Sequence, residues 1–310
     1  MHKEEQNLYY EDGVDLKELF FALWDKKILI ISITTIAAII SIFIALQLPN
    51  IYSSKALLSP SGEKDGLSSA LGGFSNLAGI AGIALPGESG DPSQEAMARI
   101  RSLDFFTDHF LPNIKLENLL AVKKWQPSTN EIIYNNKVFD NLNNKWVRQV
   151  SYPKTTIPSN QEAYKVYKDI ISITEDRKTK FVVISVEHKS PYIAKKWIDI
   201  IINNINESMR ETDKKLATKS IDFLNQSSAQ TNLIEIKEGI SEILESQIQK
   251  LMLASANEFY VYKIIDSPIV PELKSKPNRA LICIVGAFIG ALLSIIIALA
   301  SYSTRKNQNI

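Results

Sequence analysis

The sequence predicts an α+β domain with a long extended helix, flanked by two transmembrane helices that form a hairpin in a membrane. Three observations carry this reading. Two uncharged apolar runs lie near the ends of the 310-residue chain. Strand-like segments stand far apart in sequence and are joined by helical stretches, the pattern of an α+β domain. One apolar stripe at helical spacing continues from Pro191 to Ala254.

The first apolar run, Ile28 to Leu48, reads ILIISITTIAAIISIFIALQL. The second, Ala280 to Ala300, reads ALICIVGAFIGALLSIIIALA. Roughly 20 predominantly apolar residues suffice to span a bilayer as a helix. The first run exceeds the roughly 7–15 residues of a secretory h-region, and no A-x-A site follows it, so it reads as an uncleaved anchor. Lys26 and Lys27 directly before it favour a cytoplasmic N-terminus. Lys274, Lys276 and Arg279 precede the second run and only Arg305 and Lys306 follow it, which taken locally points the other way. Long loops translocate largely regardless of charge, and the first helix usually dominates. Both termini are therefore expected in the cytoplasm, with residues 49–279 outside it.

The expected organisation follows. Residues 1–27 form a cytoplasmic leader, 28–48 and 280–300 the spans, 49–279 the extracytoplasmic domain and 301–310 a cytoplasmic tail. In the leader, Leu16, Leu19, Phe20, Leu23 and Trp24 share one helix face, with Asp15 and Glu18 placed as a capping box. That helix either lies at the membrane interface or simply continues into the first span.

Past the first span, Ile51 to Leu58 is expected as a strand. Residues 62–90 are rich in Gly, Ser and Ala and are expected as a mobile loop, since glycine raises the entropic cost of order. The loop's apolar middle, Leu71 to Leu85, fits contact with another protomer, a partner or the membrane surface, and equally fits local burial. Asp91-Pro92 starts a helix. Ala96, Ile100, Leu103, Phe106 and Phe110 give it an apolar face. Trp125 and Trp146 are expected to be packing residues. Phe181 to Val186, FVVISV, is a strand. Ser190-Pro191 opens the long stripe, with Ile193, Trp197, Ile198, Ile201, Ile202, Ile205 and Met209 on one face. The polar stretch Ser227 to Asn232 leaves open whether residues 191–254 form one helix or two. Tyr260 to Asp266 is a strand expected beside the first strand. Pro268, Pro271 and Pro277 then stiffen an extended strut leading into the second span.

Chemistry is sparse. The formal net charge is +1 with no block of like charge, which excludes a typical nucleic-acid binder. The only cysteine, Cys283, sits in the second span, so no disulfide or paired thiol site is expected. His2, His109 and His188 show no metal-ligand spacing. His188, just before the Ser-Pro helix start, reads as structural or exposed. No nucleophile elbow or phosphate loop is present. Catalytic, cofactor-binding and metal sites are therefore not expected. The short cytoplasmic segments also leave no room for a kinase module at ordinary domain sizes.

Five segments in order are similar to one family. They are VDLKELFFALWDKKILI before the first span and the Gly/Ala-rich loop after Lys64. Next come YKVYKDIISITEDRKTKFVVISVEHKSPYIAKKWIDIIINNIN and QIQKLMLASANEFYVYKIIDSPIVPE. Last is Pro277-Asn278-Arg279, followed by Gly286 and Gly290. Over most of its length the chain resembles the polysaccharide co-polymerase family, the Wzz-type chain length determinants. Asp199 departs from the Asn common in that helix motif.

The resemblance implies a non-catalytic protein of the bacterial inner membrane with a periplasmic domain. It implies a homo-oligomer that sets the length of a glycan, such as lipopolysaccharide O-antigen, made by a separate polymerase. The implied partners are other copies of the chain, that polymerase, the growing lipid-linked glycan and membrane lipid, with no cofactor. The membrane component of a capsule or exopolysaccharide export system working with a separate kinase, or a periplasmic sensor, are the alternatives. Gly286-x-x-x-Gly290 suits close helix approach in lipid. The candidate oligomer or partner contacts are Leu71, Leu85, Trp197, Pro271, Pro277, Gly286 and Gly290.

Overall fold

The computed structural model describes residues 23–61, 91–256 and 259–308. In chain order its principal elements are α1 (Lys27–Gln47), β1 (Tyr52–Pro60), α2 (Pro92–Ile100), α3 (Leu116–Leu120), β2 (Val122–Gln126), β3 (Glu131–Tyr134), β4 (Phe139–Asp140), β5 (Lys145–Trp146), α4 (Asn160–Ile170), β6 (Ile171–Glu175), β7 (Val182–His188), α5 (Pro191–Gln230), α6 (Ile234–Ala256), β8 (Tyr262–Asp266) and α7 (Arg279–Gln308). They group into two units, residues 1–49 with 276–310, and residues 50–275. The leader helix face at Leu16, Leu19 and Phe20, and the loop carrying Leu71 and Leu85, lie outside the described residues.

In the first unit, α1 and α7 pack against each other. Lys27–Gln47 and Arg279–Ser301 are long and apolar enough to cross a membrane. Their large side chains face outward: Ile36, Phe43, Phe288 and Ile296 are all exposed. A soluble core helix would bury such residues, whereas lipid tails accept them. The seam is made by small residues. A Cβ at Gly286 would collide with the Ser41 side chain, and one at Gly290 with the Ala37 methyl group. The Ser41 hydroxyl donates to the Ala37 carbonyl at 2.8 Å, so it needs no partner in the seam. α7 begins where the Asn278 side chain accepts from the Leu281 N–H.

The second unit is built on an antiparallel four-stranded sheet in the order β6-β7-β1-β8. Burial alternates along β7, with Val182, Ile184 and Val186 inward, because successive strand side chains point to opposite faces. The first half of α5 covers that face with Trp197, Ile198, Ile201, Ile202 and Ile205, all buried. The strand at Tyr262–Asp266 pairs with β1, as the sequence predicts. The proline segment after it is not a free strut. Ser54 Oγ donates to the Ile269 carbonyl at 2.7 Å, and the Ser275 N–H donates to the Ile51 carbonyl at 2.8 Å.

Several expectations are corrected or refined. The helix opened by Asp91, whose side chain accepts from the Ser93 N–H, ends at Ile100. A short helical turn and a π-helix, Phe106–Phe110, follow it, and Leu103 is exposed. Phe106 and Phe110, four residues apart and on one face of this helix, both pack on Tyr167, at ring-centroid distances of 4.9 and 4.8 Å. Trp125 packs edge-on to Tyr52 and Trp146 edge-on to Phe139, as expected of packing residues, though each is half-buried rather than enclosed in the core. The question left open for residues 191–254, one helix or two, is answered as two. α5 has 40 residues and so extends about 60 Å, and α6 folds back along it after Thr231–Leu233. Ser and Thr hydroxyls, Asn and Gln in this stretch compete for backbone partners; Ser227 Oγ, for example, donates to the Phe223 carbonyl.

One side chain ties the long helix to the sheet edge. Asn206 is only 6% exposed. Its Oδ1 accepts from the Val261 and Tyr262 N–H groups at 2.8 and 2.9 Å. Its Nδ2 donates to the Ile202 and Tyr262 carbonyls, each at 3.1 Å. Both donors and both acceptor positions of the amide are used. A second buried polar group, His188, ends β7 against the edge of Trp197. Its Nδ1 accepts from the Ser190 N–H at 2.9 Å, so Nε2–H donates to the Asn118 carbonyl at 2.9 Å. Burial pushes this imidazole from 6.5 down to about 4.

Three outcomes follow from this packing. Asn206→Ala strips the partners from two buried N–H groups and is expected to cost about 2–4 kcal/mol, read by chemical denaturation of the detergent-solubilised chain. A loss within experimental error of zero would contradict the clamp. For His188, the unfolded chain takes up a proton near pH 6.5 while the folded one refuses it until about pH 4. Stability therefore falls as pH drops through that window, with a slope approaching ~1.4 kcal/mol per pH unit that His188→Gln removes. Gly290→Leu is expected to wedge α1 from α7. Cysteines placed across that seam in a Cys283→Ser background would then cross-link less than in the parent, and equal yields would contradict the seam.

Candidate functional site: an exposed helical hairpin and a cationic cleft

The residues singled out from sequence do not converge on one site. Trp197 is 2% exposed and lies in the core, its ring edge-on to Phe110 at 5.6 Å, so it presents no face to a second chain. Its place in the apolar stripe, one turn before Ile201, is what buries it. Gly286 and Gly290 make a close approach to α1 of the same chain. Pro271 is half-buried beyond β8, and Pro277 lies two residues before α7, following a cis peptide bond.

Two other features stand out on the second unit. The first is the distal part of the α5–α6 hairpin. Its seam buries only Ala217 and Leu224. Lys250 Nζ reaches Asp213 Oδ1 at 3.0 Å, and the Tyr260 hydroxyl donates to Asp213 Oδ2, which latches the base of the hairpin. Beyond the latch, Leu216, Phe223, Leu233, Ile234 and Ile236 are exposed, Phe223 by 68%. Exposed apolar side chains clustered on one element are the usual mark of an association surface. Both helices were visible in sequence as stripes. Which apolar positions face outward depends on the fold-back, and no local pattern marks that.

The second feature is a cleft of about 340 Å³ between the β4–β5 hairpin and α4. Trp146, Arg148, Lys154, Glu162 and Lys165 line it. Arg148 grips both carboxylate oxygens of Glu162 at 2.9 and 2.7 Å and donates to the Thr155 and Thr156 carbonyls. Glu162 also closes the capping box that starts α4 at Ser159. The Arg148 guanidinium holds the Glu162 carboxyl down at about 2. Sequence reading missed this pair because its partners are 14 residues apart across an irregular loop.

Among the described residues, no group of three or more His, Cys, Asp and Glu side chains is placed to hold a metal ion. His188 has both ring nitrogens engaged with backbone.

Comparison with known proteins gives one family. Residues 12–145 match the family model described as Wzz, chain length determinant protein. No curated protein matches the chain. Among solved structures, the chain is similar to a full-length bacterial polysaccharide co-polymerase, with 15% identity, a TM-score of 0.41, and coverage of 94% of this chain and 99% of that one. It is also similar to a fragment of WzzB, the polysaccharide co-polymerase from Salmonella Typhimurium. There the identity is 14% and the TM-score 0.28, covering 73% of this chain and 100% of the fragment. The match at residues 12–145 runs across the first apolar helix and β1 and on to β5, and so marks a similarity to the Wzz chain length determinant family over that part of the chain.

Proposed function

We propose that the chain is a non-catalytic regulator of polysaccharide chain length, acting as a homo-oligomeric scaffold in the bacterial inner membrane beside a separate polymerase. The observation that carries this reading is the family match over residues 12–145. The two membrane-length helices support an anchored scaffold. In this reading both termini are cytoplasmic and residues 49–279 are periplasmic, as the lysines before α1 favour. The glycan is lipopolysaccharide O-antigen or a related surface polymer.

Assembly in this reading runs through the hairpin. Phe223 on α5 and Ile236 on α6 are both exposed in the single chain. Burying such side chains between copies stabilises association by roughly 1.5–3 kcal/mol each. The contact would place identical hairpins side by side, so that growing glycan meets a repeated surface rather than a single one. Length control then needs no bond-making by this chain; it needs only an assembly that alters how long a polymerase keeps its product.

Deletion of the gene is expected to change the modal length of the surface glycan on a gel. Complementation with Phe223→Glu/Ile236→Glu should fail to restore it while the chain remains folded. An unchanged ladder on deletion would contradict the proposal. Complete loss of surface polymer, with no shift in length, would instead favour a role in export.

A further inference from the structure

The cleft beside α4 has a composition that neither the core nor the hairpin requires. Arg148 and Glu162 cancel each other's charge and are committed to one another. What remains is cationic. Lys154 Nζ stands 3.5 Å from Glu162 Oε1 with its side chain 60% exposed, and Lys165 is exposed on α4. Among the described residues nothing accepts from Lys165 or from the Trp146 indole N–H. Trp146 leans edge-wise on Phe139 at 5.2 Å and 66°, which fixes its ring while leaving it half-exposed. Tyr152, 97% exposed, stands on the same loop as Lys154.

We infer that this cleft binds a saccharide carrying an anionic group. The inference deepens the glycan-handling role proposed above and rests on it for the source of the ligand. An indole face is electron-rich and attracts the polarised C–H groups on one face of a pyranose ring, as it attracts cations. Two lysines beside it neutralise a carboxylate or phosphate on the same sugar. The volume lies at the small end of the range for small-molecule sites, so it takes a short stretch of a polymer and not a folded partner. A bare anion would leave the ring without a role, and a neutral sugar would leave the two lysines without one. Nucleic acid would call for a continuous basic stripe, whereas this chain carries a net charge of only +1.

The rigid floor also bears on the site. Arg148 anchors the loop through the Thr155 and Thr156 carbonyls, and Glu162 anchors the start of α4. The lysines and the ring therefore project from a braced frame, which lowers the ordering cost of capturing a flexible chain.

The test uses the full chain in detergent and titration calorimetry with tetragalacturonate and, as the neutral probe, maltotetraose. The acidic probe is expected to bind about tenfold more tightly than the neutral one at low salt, and the preference to shrink as salt rises. Lys154→Glu with Lys165→Glu, both at exposed positions, should abolish the preference without shifting the thermal midpoint. Trp146→Ala should weaken the acidic probe by about tenfold, the order of one lost aromatic contact. No binding of the acidic probe, a preference that survives the lysine reversal, or full affinity in a folded Trp146→Ala chain would each overturn the inference. If Trp146→Ala fails to fold, the lysine reversal alone decides. Failure here with an intact effect on glycan length overturns the cleft and leaves the regulator standing. An unchanged ladder with selective acidic binding does the reverse.

Discussion

The second unit closes on one buried amide. Asn206 sits on the apolar face of α5 yet satisfies every hydrogen-bonding position it has, two of them with the N–H groups of Val261 and Tyr262. An unsatisfied amide buried at this point would be destabilising; a fully satisfied one is specific to a single register. It fixes where the chain, after a long excursion through α5 and α6, rejoins the sheet as β8. β8 then pairs with β1, and Ser275 meets Ile51, so the first and last residues of this unit lie together. The hairpin can project far from the sheet because its base is pinned in this way and by the Lys250–Asp213–Tyr260 latch.

Much of this architecture was legible before any coordinates. Uncharged runs of membrane length, the cap-then-proline starts at Asp91-Pro92 and Ser190-Pro191, and the β-branched run in β7 are local signals, and local signals survive folding. The stripe from Ile193 to Met209 identified the core face of α5 correctly. Asn206 lies on that same face, one residue past Ile205, and a polar residue on a buried stripe is the cue that would have found it. Where the structure adds to the reading, one physical cause recurs. Trp197 packs into its own chain's core and the glycines approach α1 of the same chain, and sequence patterns record that a surface is apolar or small, not whose surface covers it. The π-helix at Phe106–Phe110 and the half-burial of Trp125 and Trp146 depend on tertiary packing around Tyr167 and Phe139, which no window of sequence contains.

The two units use small and large apolar residues differently. In the pair of membrane-length helices, Gly286 and Gly290 bring the backbones of α1 and α7 together, and the large side chains point away, as lipid permits. In the α5–α6 hairpin the seam is thin, with Ala217, Leu224 and Ala254 buried, and large side chains again point outward. In the proposed assembly, other copies of the same hairpin would cover that surface without a new partner. Isologous or ring-closing contacts of this kind let one modest surface be used many times over in one assembly.

The proposed mode of action depends on assembly, so the mass of the native particle decides it most directly. The full chain, extracted in mild detergent and weighed by light scattering with the detergent contribution subtracted, is expected to run at several times the mass of one chain. A particle holding a single chain, at concentrations where the protein remains folded, would contradict the account.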